Sequence, residues 1–253
     1  MRAETRRQLK QDRFAATVAQ EVEWASEHRR QLVIGGIVVA VVLALGLGWW
    51  WWNGQQDLKA SAQLAEAIRT YTAPIVTPDQ PPVPGQPSFN SAADRAKAAL
   101  KLFADIENKY GSTTSGKVAR YYTGLCFRDS GDIADAEKAL KKSADDGDVD
   151  RAALAKFALA ELYAAQSRND DAVKAYNDLA AHPAASVSRS TALLTLAQFY
   201  EELKQPQQAR DTYQQILKDD SKSQFGQYAQ TRLAALGGAP APQPNQPKPP
   251  DQK

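Results

Sequence analysis

Residues 132–143, DIADAEKALKKS, return as NDDAVKAYNDLA at 169–180 and again as PQQARDTYQQIL at 206–217. Each copy places an alanine and two further packing positions at steps of four and three: Ala136, Leu140, Ser143; Ala172, Tyr176, Leu179; Ala209, Tyr213, Ile216. That spacing is one face of an α-helix. An earlier copy lies in RAKAALKLFADI at 95–106, as Ala99, Phe103 and Ile106. The alanines step by 37, 36 and 37 residues. A fixed period of this size marks a stacked array, whose units bury their apolar faces only against neighbours.

A second helix precedes each copy. YYTGLCF at 121–127, FALAELY at 157–163 and LTLAQFY at 194–200 align Gly124 with Phe127, Ala160 with Tyr163 and Ala197 with Tyr200. The small residue allows two helices to approach, and the aromatic fills the space beside that approach. Composition agrees, because residues 57–236 hold 35 alanines against six valines and five isoleucines. Alanine is the strongest helix former, and β-branched residues favour strands. The expected fold is therefore all-α, a solenoid of helical hairpins. Gly131 is expected to end a helix in the left-handed region, Asp132 to cap the next one, and Pro206 to occupy a first helical turn. Helices near 56–73 and 91–109 form a less regular first unit, and a helix at 222–236 supplies a terminal cap.

Ahead of the array, residues 31–56 carry no ionisable side chain, and LVIGGIVVAVVLALGLGWWWW fills 32–52. A helix of that length spans the ~30 Å hydrocarbon core of a bilayer while satisfying its own backbone hydrogen bonds. Arg29 and Arg30 abut one end, and Trp49, Trp50, Trp51 and Trp52 close the other, where indole suits the headgroup level. Lys59 and Arg69 beyond the span are balanced by Asp57 and Glu66, so the positive-inside rule puts the N-terminus in the cytoplasm. Ala60-Ser61-Ala62 has the form of a signal-peptide cleavage site. The 30 preceding residues, the length of the run and the four tryptophans suit an uncleaved anchor better. Gly36, Ala40, Ala44 and Gly48 form a stripe of small residues that either receives a partner helix or reflects the ordinary Gly and Ala content of membrane helices.

These parts divide the chain into a charged cytoplasmic stub (1–30), a transmembrane helix (31–52), the repeat domain (53–236) and a tail (237–253). Six of the 14 prolines fall in an insertion at 72–90 and six in the tail. The insertion is expected as an extended surface loop or a recognition segment, and the tail as disordered on composition. Residues 1–30 hold seven Lys/Arg against five Asp/Glu, whereas 53–253 hold 24 of each, so the formal charge of +2 is N-terminal. A neutral main body is poor material for gripping a nucleic-acid backbone.

The paired pattern of a small residue and an aromatic, then alanine and another aromatic, resembles the tetratricopeptide repeat, whose unit is 34 residues. The likeness covers about 114–219. The period here is longer, and Arg120, Lys156 and Leu193 stand where that repeat places an early tryptophan in its first helix. The order of parts resembles something narrower: the YfgM-like ancillary subunits of the bacterial SecYEG translocon. DLKASAQLAEAIRTY at 57–71 carries much of that likeness. The resemblance implies a single-pass inner-membrane protein with periplasmic repeats, working beside the Sec translocon, periplasmic chaperones and exported clients. The alternative is a cell-envelope assembly or structural scaffold holding cell-wall or outer-membrane machinery.

Chemistry is absent from the motifs. No phosphate-binding glycine loop, dinucleotide fingerprint, zinc-protease helix or nucleophile elbow occurs, so no enzyme activity, cofactor or small-molecule substrate is expected. His28, His182 and the lone Cys126 leave little for a metal or a disulfide, and Cys126 reads as a small buried apolar group. The aspartates of KKSADDGDVD at 141–150 read as a solvated turn with helix caps. What remains is the face lined by the first helix of each hairpin: Tyr121, Leu125 and Arg128, then Phe157 and Glu161, then Leu194, Gln198 and Glu201. This stripe lacks the basic cluster that would clamp a terminal carboxylate, so it is expected to bind an apolar or helical segment weakly. The other reading is that Tyr121, Phe157 and Leu194 only pack neighbouring hairpins.

Overall fold

Short polar punctuation between alanine-rich runs makes this chain a succession of helices. A computed structural model describes residues 29–76 and 85–237; the expected stub up to residue 28, the centre of the proline insertion and the tail from residue 238 lie outside the described residues. The helices are α1 (Arg29–Tyr71), α2 (Ala92–Tyr110), α3 (Thr114–Ser130), α4 (Ile133–Ala144) and α5 (Val149–Ala165), followed by α6 (Asn169–Ala181), α7 (Arg189–Glu202), α8 (Pro206–Asp220) and α9 (Gln224–Ala235). Among the described residues the sole β-type pairing is one bridge between Ile75 and Phe89, at the base of the proline insertion. The all-α hairpin solenoid is thus the observed fold, with an N-terminal apolar helix ahead of it. The chain divides into two compact units, Met1–Gln55 and Gln56–Lys253.

Two kinds of turn alternate along the array. Leading helices start on a side-chain cap: Thr113, Asp148, Ser188 and Ser223 accept from the amides of Gly116, Arg151, Thr191 and Gly226 at 3.0, 2.8, 3.1 and 3.1 Å. Returning helices α4, α6 and α8 have no such cap. They follow a residue in the left-handed region, namely Gly131 (φ 89°), Ser167 (φ 58°) and Lys204 (φ 57°). The next amide then reaches back five residues, from Asp132 to Phe127 O, Arg168 to Tyr163 O and Gln205 to Tyr200 O, at 2.8, 2.9 and 2.8 Å. This closes the open carbonyls of the preceding helix. The acceptors are the repeated aromatics themselves.

Asp132 corrects the expectation that it would cap α4. Its backbone (φ −85°, ψ 68°) lies outside the extended region that a capping residue adopts, and its carboxylate accepts from Ser130 Oγ at 2.9 Å instead. Pro206 does open α8.

The repeated alanines Ala99, Ala136, Ala172 and Ala209 have no solvent exposure. Gly124 shows why its position stays small, since a Cβ there would stand 2.7 Å from Leu140 Cγ. Cys126 is fully buried, in a cluster with Phe103 and Ala119 that also takes Ala60 and Ala67 of α1. Burial raises its thiol to a pKa of about 12.

The 141–150 turn is only partly solvated. Asp148 caps α5 as expected, but the Asp146 side chain is 1% exposed, with Lys117 Nζ at 3.5 Å, Arg120 Nη1 at 3.6 Å and Arg151 Nε at 3.1 Å. Lys117 and Arg120 come from α3 and Arg151 from α5, so one carboxylate ties successive leading helices together. Arg120 also donates to Glu107 on α2 at 3.0 Å. The residue replacing the usual tryptophan is therefore an ionic tie between hairpins.

Candidate protein-binding cleft

The leading helices carry the expected groove residues, and the structure gives these residues three different surroundings. Leu125 is buried in the core, and Tyr121, Phe157 and Leu194 are half-buried and packed against it. Phe157 meets the ring of Tyr176 edge-on at 5.8 Å, and Tyr121 meets Tyr122 at 5.4 Å. Burial, followed by the neighbouring Tyr122, raises the Tyr121 hydroxyl above its ordinary pKa. Arg128 and Glu161 meet across successive hairpins, Nη1 to Oε2 at 3.2 Å. Glu201 is occupied from the other side: Tyr213 donates to it at 2.6 Å, and Arg232 on α9 pairs with it closely. The Arg232 guanidinium, then burial acting the other way, then Tyr213, leave the Glu201 carboxyl below its usual range.

Glu161 and Gln198 line one open cleft of about 380 Å³ between α5 and α7, with Ala164, Thr195, Phe199 and Glu202 around it and Tyr176 of α6 within it. The turn that leads into α7 is the irregular one of the array. The capping residues Thr113, Asp148, Ser188 and Ser223 expose the irregularity: connections of three, four and three residues join α2 to α3, α4 to α5 and α8 to α9, but seven residues separate α6 from α7. The long connection takes the place of a first helical turn, because α7 begins eight residues before Ala197, while α5 begins eleven before Ala160. Leading helices pack directly on one another at α3–α5 and α7–α9, whereas α5 and α7 stand further apart. The connection is held down firmly, with Val187 buried and Ser186 bound to Asp150 through its amide at 2.9 Å and its hydroxyl at 2.7 Å.

Electrostatically the cleft is one-sided. Its charged lining side chains are Glu161 and Glu202. Burial raises the Glu161 carboxyl above its ordinary pKa, with Arg128 pulling the other way. Burial also raises the Tyr176 phenol, and Glu161 and Glu202 add to that shift. Tyr176, Phe199 and Glu202 were not singled out as groove residues from sequence. Tyr176 looked like a repeat core position, which it also is, and Glu202 sits one place beyond the chosen Glu201.

In the N-terminal unit, Gly36, Ala40, Ala44 and Gly48 lie in α1 and are exposed, as is Arg30. Arg29 begins the helix. The large apolar side chains from Val33 to Trp52 are 51–72% exposed, including Trp49, Trp50, Trp51 and Trp52. This stretch is long and apolar enough to cross a membrane.

The family described as a tetratricopeptide repeat-like domain matches residues 23–238 of the chain. No curated protein matches it significantly. Two crystal structures of nearly identical TPR-like repeats, from a candidate kinesin light chain of Podosopora anserina, are similar to it at 15% identity. They cover 70% of this chain and 84% and 85% of their own, with TM-scores of 0.50 and 0.51. A tetratricopeptide repeat protein from Parabacteroides merdae aligns at 16% identity over 57% of this chain and 54% of its own, with a TM-score of 0.44. At such identities the two fungal structures speak for the fold alone.

Proposed function

Since this chain belongs to the tetratricopeptide repeat-like domain family, whose repeats indicate a protein–protein interaction scaffold, we propose that it holds its partners at a membrane, beside the Sec translocon. One observation carries the anchoring: the apolar side chains from Val33 to Trp52 lie 51–72% exposed in a run free of charge. In water such a surface is unfavourable; in lipid it is matched to its solvent. Arg29 and Arg30 at its start favour a cytoplasmic N-terminus, which sends the repeats to the far side. In a bacterial inner membrane that side is the periplasm, where exported chains and their chaperones meet the array. Gly36, Ala40, Ala44 and Gly48 are the docking stripe for a translocon helix in this reading.

The scaffold acts by binding alone. Tyr121, Phe157 and the α5–α7 cleft present apolar surface on the leading helices, and partner capture there places a client near the membrane. Crosslinking in native membranes tests the assignment. Recovery of translocon subunits supports it, and recovery of cell-wall or outer-membrane factors instead replaces it with an envelope-assembly role. Protease protection in inverted vesicles tests the topology, since repeats digested on the cytoplasmic side reverse the orientation. Gly36→Leu with Ala44→Leu should weaken the translocon crosslink; an unchanged crosslink removes the stripe from the interface.

A further inference from the structure

We infer that the α5–α7 cleft takes a polypeptide segment in which an apolar side chain stands beside lysine or arginine, the apolar group seated on Tyr176 and Phe199 and the cation held by Glu161 and Glu202. This rests on the scaffold reading and names the chemistry of its partner.

The cleft is a local feature of one pair of leading helices. It lies between the C-terminal halves of α5 and α7, at Glu161–Ala165 and Thr195–Glu202. Its volume of about 380 Å³ accommodates side chains but not a folded surface. Tyr176 and Phe199, with ring centroids 6.2 Å apart, are core residues, 2% and 6% exposed, that form the floor of the cleft, and such a lining favours an apolar group.

The charge of the walls selects what accompanies that group. Arg128 is already shared, with Asp129 at 3.0 Å and Glu161 at 3.2 Å, so this trio retains one net negative charge. Glu202 forms no ion pair among the described residues and adds a second. A basic side chain entering between them gains charge-assisted hydrogen bonds, while an acidic one meets two carboxylates. An acidic segment is the wrong ligand for this cleft.

The test uses the full chain in zwitterionic nanodiscs and fluorescence anisotropy with labelled peptides of about a dozen residues, in Leu/Lys, Leu/Glu and Leu/Ser versions of one pattern. The Leu/Lys peptide should bind at least about tenfold more tightly than Leu/Glu. Glu161→Gln with Glu202→Gln should erase most of that preference. Asp135→Asn with Asp211→Asn, an equal charge change on exposed positions elsewhere, should leave it intact. Equal affinity for the three peptides overturns the proposal, as does an equal loss from both double variants. If the cleft double variant instead turned a self-associated protein into a monomer without altering peptide binding, the occupant would be a second copy and the proposal would fall. Native-membrane crosslinking separates this from the scaffold reading. Unchanged partner recovery with the cleft variant overturns the cleft and keeps the scaffold, whereas peptide selectivity without any recovered protein partner upholds the cleft and removes the scaffold.

Discussion

Arg128 of α3 holds Glu161 of α5 at 3.2 Å while also holding its own neighbour Asp129 at 3.0 Å. Asp129 in turn accepts from Tyr71 at 2.8 Å, so the chain of contacts runs from α1 through α3 to α5, across the first three hairpins. Because both partners of the 3.2 Å pair retain substantial exposure, 29% and 46%, its contribution to stability is small. Its larger consequence is to occupy one of the two carboxylates of the cleft.

Arg128→Gln should therefore change unfolding free energy by less than about 1 kcal/mol in a urea titration. The same variant should bind the Leu/Lys peptide more tightly than the parent, because Glu161 no longer has an internal cation. Weaker binding would show that Arg128 contributes to the site directly.

Asp146→Ala should behave in the opposite way. Its side chain is 1% exposed and faces Lys117, Arg120 and Arg151. Removing it leaves cationic groups without their shared counter-charge, a loss of about 3–5 kcal/mol. The neighbouring Asp145 is exposed, and Asp145→Ala should fall within about 0.5 kcal/mol of the parent. Equal effects in the two chemical denaturation curves would contradict the buried tie between hairpins.

Ser167→Gly and Lys204→Gly should each stabilise the array by about 1 kcal/mol, because both positions hold the left-handed backbone that Gly131 adopts without a steric penalty. Gly131→Ala should lose about the same amount. Scanning calorimetry on the three variants reads the sign directly. Since all three turns make the same backward hydrogen bond, the effect should not depend on which hairpin is changed.

Alkaline pH should destabilise the repeats. Burial raises Cys126 to about 12, and burial also raises Tyr71, Tyr176 and Tyr213 above the ordinary phenol value. Folded-state values above unfolded ones mean that this stabilisation is complete below the ordinary values, about 8.5 for a thiol and 10 for a phenol. It is lost as pH climbs through them towards the folded values. Melting temperature should fall progressively above about pH 8.5, and Cys126→Ser should blunt the first part of that fall. At the acid end the sign reverses. Burial raises Glu107, but hydrogen bonds from Lys142 and Arg120 outweigh it, and Arg232 leads the lowering of Glu201. Their contribution should be present above the ordinary carboxylate pKa of about 4.3 and fade below it.

Much of the architecture was legible because it rests on local periodicity. The steps of 36 and 37 residues between Ala99, Ala136, Ala172 and Ala209 mark fully buried positions in the returning helices. Gly124, Ala160 and Ala197 similarly mark the leading helices. Gly131 could be read as a left-handed turn residue because glycine tolerates that backbone freely. Ser167 and Lys204 carried no such mark, although they occupy equivalent turns, since the packed hairpins impose the conformation on them. Asp132 misled for a related reason: its side chain suits a cap, but the turn before it takes the backbone elsewhere.

The sequence by itself determined that the chain is helical, that its hairpins recur every 36 or 37 residues and that an uncharged apolar helix precedes them. These follow from side chains a few positions apart on one helix, where spacing alone defines a face. Only the tertiary structure decided which charges are neutralised and where the array opens. Asp146 lies 26 and 29 residues from Arg120 and Lys117, and Glu161 lies 33 from Arg128. Glu161 and Glu202, 41 residues apart, line one cleft because α5 and α7 are successive leading helices. Such encounters depend on how far neighbouring helices separate and on the course of the turns between them. Those distances come from packing whole hairpins together, so no single helix encodes them.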